Sequence, residues 1–147
     1  MKRKILIGLL IVIVIGVIIG YRMYSKTTRD LVDSEPDISI SARNLLAAFE
    51  QDTASARRTY VDKVIAVTGT VKSIDTSGTI ILGNPDQQSS LVFGLDRRHL
   101  KDHEQVKVGS EATLQGKCVG YEKGEEMLGV SLGTNVQFNF AGVKNKK

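Results

Sequence analysis

The residues best suited to chemistry are His99 and His103, four positions apart with Asp102 between them. On a helix that spacing sets both imidazoles on one face, where two nitrogens can reach one zinc ion. His99-Leu100-Lys101-Asp102-His103 is therefore a loose relative of the inverted zinc-protease motif H-x-x-E-H. A catalytic zinc would also need a longer carboxylate, a third distant ligand and a scaffold with a substrate cleft. Two ligands leave a metal site undefined. The expectation is a solvated helical face, with no metal and no cofactor.

Other catalytic patterns are missing. No serine sits in a G-x-S-x-G elbow, and no glycine run resembles a phosphate loop. The single cysteine, Cys118, has no histidine near it in sequence and lies in an apolar, glycine-flanked stretch. It reads as a small buried hydrophobe. Glu125-Glu126 reads as an exposed turn. The sequence predicts no enzyme.

Binding is the remaining class. A nucleic-acid surface needs clustered positive charge and aromatics on which bases can stack. The weak candidates are Lys72, Arg97, Arg98 and Tyr121, because Phe93 alternates with Leu91 and Leu95 and so belongs to the core. The net charge of +4 encourages that reading until it is divided along the chain. Residues 1–29 hold six of the twenty Lys and Arg and no acid, which leaves fourteen against all sixteen Asp and Glu. The body is thus net −2. Its basicity belongs to the N-terminal segment and to the tail with Lys144, Lys146 and Lys147.

The elements that must position these residues begin at Ile5. From there to Gly20 runs an unbroken stretch of sixteen apolar residues, extended past Arg22 by Met23 and Tyr24. With flanking cations snorkelling toward headgroups, and Tyr21 and Tyr24 at the interface, it can cross a bilayer. A cleaved export signal is the competing reading, because Lys2-Arg3-Lys4 is a positive head. The first alanine is Ala42 and no cysteine follows the apolar run, so neither an A-x-A nor a lipoprotein cleavage site is available. The expectation is a single-pass anchor over residues 1–24, with the domain on the extracytoplasmic, periplasmic side. Gly16 and Gly20 form a G-x-x-x-G pair through which two such helices can dimerise.

Residues 25–37 read as a polar linker broken by Ser34-Glu35-Pro36. Ser41 caps a helix whose Leu45, Leu46 and Phe49 form one apolar stripe, and a second helical piece runs from Thr53 to about Tyr60 with Ala54, Ala56 and Tyr60 inward. The period then becomes two. Ile65, Val67, Gly69 and Val71 share one face, followed by strands at 79–82, 91–95 and 112–120. In the last of these Ala112, Leu114, Gly116, Cys118 and Gly120 alternate on the inner face, leaving Tyr121 outside. A fifth strand is expected around Met127 to Leu132, with Val136, Phe138 and Phe140 continuing it or closing the sheet. Three strands, a helical turn and two strands make the order of an OB-fold. The predicted fold class is mainly β, a five-stranded OB-fold barrel with a pre-barrel helix and an N-terminal transmembrane helix. The domain spans 38–142, with a basic tail at 143–147.

Three stretches carry a family likeness: Ser41 through Glu50, Tyr60 through Val71, and Val108-Gly109-Ser110 leading to Leu114 through Gly120. Across residues 36–138 the chain resembles the tRNA-anti-like OB-fold family of small exported or membrane-associated bacterial proteins. The resemblance implies the barrel; it carries no functional residues, and it departs from lipoprotein relatives in lacking their acceptor cysteine. The functional expectation is a membrane-anchored, extracytoplasmic binding module whose partner is an envelope protein or glycan. A single-stranded nucleic-acid binder is the alternative.

Overall fold

Ser41 ends a short strand and starts a helix: its hydroxyl oxygen accepts from the Asn44 N–H at 3.3 Å, as a capping serine should. The computed structural model describes residues 12–21, 30–124, 126–127, 130–131 and 133–144. Strand β1 (Ile38–Ser41) leads into α1 (Ala42–Gln51) and α2 (Thr53–Tyr60). Asp52 closes α1 and caps α2, its carboxylate accepting from the Ser55 N–H at 3.0 Å. The α1 stripe is the expected one, with Leu45, Leu46 and Phe49 buried, whereas Ala54 of α2 is exposed and only Ala56 is buried there.

The remaining strands are β2 (Val64–Asp75), β3 (Thr79–Leu82), β4 (Ser90–Leu95), β5 (Glu111–Lys123), β6 (Glu126–Met127), β7 (Val130–Ser131) and β8 (Thr134–Val143). The sheet runs β1-β2-β3-β4-β8-β5, and β5 pairs back onto β2 to close a five-stranded barrel. All neighbours in the barrel are antiparallel except β4 and β8, which are parallel. That is OB topology, with β1 added in parallel along β2. The closing strand is β8. Within the segment where a fifth strand was expected, β6 pairs antiparallel with β7, and residues 128, 129 and 132 lie outside the described residues.

Phe93 and Phe138 stack inside the barrel with ring centroids 4.3 Å apart, and α1 brings Phe49 to within 5.3 Å of the Tyr121 ring. Each fully buried Phe or Leu of this core contributes on the order of 1.5–3 kcal/mol of transfer free energy. Gly69 lets α1 lie close on β2: a Cβ there would sit 2.5 Å from the Ala42 Cβ.

Two bulges in the pairing of β5 with β8 break the period-two pattern. The pairing of β5 with β8 shifts between Cys118 and Gly120, so Val119 is an extra residue. From there the alternation reverses, and Tyr121 faces inward opposite Val136. A second shift, between Gln115 and Lys117, takes up an extra residue of β8 around Phe140. Phe140 adopts φ 54° and is 54% exposed, while Ala141 takes the inner position.

Residues 12–21 are helical and exposed; the rest of the expected anchor, residues 1–11 and 22–24, lies outside the described residues. Among the described residues no helix is long and apolar enough to cross a membrane. Of the expected linker, residues 30–37 are described, and they lie along the barrel as a strap.

Candidate functional site

The strap is fastened by side chains that two-fold alternation would place on the outside of the sheet. Gln115 is fully buried on the outer side of β5. Its Nε2 donates to the carbonyls of Leu31 at 2.5 Å and Ser34 at 2.8 Å, and its Oε1 accepts from Lys144 Nζ at 2.5 Å. Val32 of the strap is buried against the sheet. Gly142 makes room for it, because a Cβ there would meet Val32 Cγ2 at 2.7 Å and His99 Cγ at 2.9 Å.

His99 holds the strap's N-terminal end. Its Nε2 lies 2.8 Å from Asp30 Oδ2 and its Nδ1 3.2 Å from Asp102 Oδ2. Burial works against the imidazolium, but the hydrogen bond and charge of Asp30, with the charges of Asp102 and Asp96, outweigh it and raise the His99 pKa above the ordinary histidine value. Burial likewise raises Asp30, and is outweighed by its bonds from His99 and Val32 and by the charges of His99 and Arg98, so its pKa is lowered. Asp102 is further engaged, accepting from the Val143 N–H at 2.9 Å.

This arrangement corrects the histidine expectation. Leu100–Gln105 is a 3₁₀ helix, with three residues per turn, and His99 is its cap rather than a member. The four-residue spacing therefore does not align the two rings. His103 Nδ1 turns to the Leu100 carbonyl while His99 is clasped by two carboxylates. Among the described residues no group of three or more His, Cys, Asp or Glu side chains is arranged to hold a metal ion.

The four weak ligand-binding candidates are scattered. Arg98 is engaged by Asp96 through Nε at 3.0 Å and Nη2 at 2.9 Å, a fork that holds the Asp96 carboxyl at about 2. Lys72 Nζ donates to the Gln87 carbonyl at 2.7 Å. Tyr121 packs against Phe49 and is half-buried, lining a groove with Arg57 and Arg58. Arg97 is exposed. These residues do not form one cationic, aromatic surface.

The outer face of the sheet offers a different surface. Register places Ser73, Ile81, Val92 and Gln137 on one rung across β2, β3, β4 and β8. Ile81 and Val92 are partly exposed and Gln137 is exposed. The rung holds two apolar side chains, a hydroxyl and an amide, with no charge. Asn139 and Phe140 continue it along β8. The bulge that turns Phe140 outward has no signature in the sequence, so alternation alone could not find this aromatic.

Among the described residues several grooves open along the barrel. One, of about 680 Å³, lies beside the strap and includes Asp33, Thr68, His99, Asp102, Thr113 and Lys144. Another, of about 580 Å³, opens where α1 begins and includes Arg43, Asn44, Thr70, Gln87 and Glu111.

A five-stranded barrel with this strand order, an N-terminal helix packed into it and an open outer face defines an OB-fold module. The sequence profile of the tRNA_anti-like family matches residues 1–131, and the chain belongs to that family. No curated protein matches it. Among solved structures, a "putative nucleic acid-binding lipoprotein" of Klebsiella pneumoniae is similar, with 19% identity and TM-score 0.52 over 71% of this chain and 89% of that one. At that identity the likeness shows the fold. A "putative aspartyl-tRNA synthetase" of Leishmania major aligns at 10% identity and TM-score 0.38, over 74% of this chain and 21% of that one.

Proposed function

We propose that this protein is a membrane-anchored, extracytoplasmic OB-fold binding module with no catalytic role, and that it receives an envelope protein or glycan on the outer face of β3, β4 and β8. The uncharged rung Ser73–Ile81–Val92–Gln137 is the observation that carries this reading. OB-folds take ligands, oligosaccharides included, on the face formed by their second and third strands, which here are β3 and β4. The membrane part rests on the sixteen-residue apolar run.

Nucleic-acid binding is the second reading, and the description given to the Klebsiella protein favours it. Against it stand the acidic body and the engagement of Arg98, Lys72 and Tyr121 within the fold. Counterion release needs several cations free to meet phosphates together. Fluorescence anisotropy with labelled single-stranded DNA and RNA at about 0.15 M salt, where charge is screened beyond about 8 Å, separates the two. Weak binding that no single substitution changes is expected. Submicromolar affinity lost on Arg97→Ala would make nucleic acid the better reading.

A further inference from the structure

We propose that the strap end of the barrel rests on the bilayer surface, with Phe140 and Leu100 entering the interfacial layer and Arg97 and Lys101 meeting anionic lipid headgroups. This rests on the anchored reading above and adds an orientation to it.

The first observation is where the chain leaves the barrel. Asp30 is pinned to His99, and the last described helical residue of the apolar segment is Tyr21. Nine residue steps from Tyr21 reach at most about 30 Å, so the barrel cannot move far from the apolar segment. Because Asp30 is clasped by the residue preceding Leu100, the tether leaves the barrel at this end.

The second observation is what this end exposes. Leu100 is 41% exposed and Phe140 54% exposed. Leu100 lies against Gly78, whose carbonyl accepts from the Leu95 N–H, and Leu95 is level with Ala141, the residue after Phe140. Both apolar side chains therefore border the same corner of the barrel as the strap. A bulky residue with positive φ is unfavourable, and Phe140 adopts it while presenting its ring to solvent. Seating that ring at a membrane interface removes apolar area that water otherwise covers.

Charge supplies the third. Of the acids at this corner, Asp96 is engaged by Arg98, and Asp30 and Asp102 by His99, while Asp33 and Glu104 are exposed. Arg97 and Lys101 are exposed on the same short segment. Each such cation near an anionic leaflet adds modest attraction. Tethering raises the effective concentration of the surface to the millimolar range, so a contact too small to hold a free domain is populated.

The chain has no tryptophan, which makes the test direct. Full-length Phe140→Trp protein is reconstituted in vesicles of phosphatidylethanolamine and phosphatidylglycerol containing brominated phosphatidylcholine, and compared with Val108→Trp, an exposed position elsewhere. Leu100→Trp serves as a second reporter should position 140 not tolerate the larger ring. Blue-shifted emission and strong bromolipid quenching from position 140 or 100, with none from 108, is expected, and Arg97→Glu with Lys101→Glu should reverse it. Water-like emission from both corner positions in vesicles that carry the protein overturns the orientation but leaves the anchor intact, and frees Phe140 for the ligand face. Failure of the full chain to float with vesicles overturns the anchor and this inference together.

Discussion

The imidazole Nε2 of His99 lies 2.8 Å from the Asp30 carboxylate, joining residues 69 positions apart and fastening the strap to the barrel. The other ring nitrogen faces Asp102. A neutral imidazole has one N–H, so it can donate to only one of these carboxylates; the imidazolium donates to both.

The clasp should therefore depend on pH. The His99 pKa is raised by folding, so its contribution is full below the unfolded value near 6.5 and is lost as pH rises through the folded value. The Asp30 pKa is lowered, so its contribution is present above the unfolded value near 3.8 and is lost as pH falls through the folded one. The difference in melting temperature between the parent protein and His99→Gln should be largest between these two limits and shrink both above the upper and below the lower one. A difference that is constant with pH would mean that His99 is not charged in the clasp.

Replacing Gln115 with Leu should cost about 1–3 kcal/mol in urea unfolding, because the Leu31 and Ser34 carbonyls lose a donor and Lys144 loses an acceptor beneath the strap. Gln115→Glu should not restore stability, since it turns the donor toward those carbonyls into a charged acceptor. Unchanged stability in both variants would show the strap to be energetically idle.

Cys118 is fully buried, and burial pushes its thiol up to about 11. The thiolate is the nucleophile, so a thiol reagent at about pH 8 should leave the folded protein unmodified and label it fully in denaturant. Rapid labelling of the native protein would place Cys118 at the surface.

The barrel was legible because its signals are local and periodic. Ile65, Val67 and Val71 alternate inward as their spacing requires, and Leu45, Leu46 and Phe49 fall on one helical stripe. What escaped were the departures from period. One extra residue at Val119 reverses everything after it, turning Tyr121 inward, and one more near Phe140 sends that ring out. Neither extra residue announces itself, since a bulge is fixed by the partner strand as much as by its own sequence. His99 and His103 were misplaced by the helix type: a 3₁₀ turn does not align residues four apart. The strap was invisible for a different reason. Its anchor points, Gln115, Gly142 and Lys144, lie more than eighty residues downstream, and a polar segment with a proline gives no local sign that a buried amide awaits it.

The binding-module account is tested most directly in the envelope itself, by photo-crosslinking from p-benzoylphenylalanine substituted for Gln137 in the full-length protein. Gln137 is the exposed polar end of the uncharged rung, and Val108, 63% exposed in the turn before β5, serves as the control position. Irradiation of intact cells should give a discrete adduct of protein or glycan from position 137 and none from 108. The same adducts from both positions, or none from 137 when the protein is present in the membrane fraction, would contradict the assignment of this face as the ligand surface.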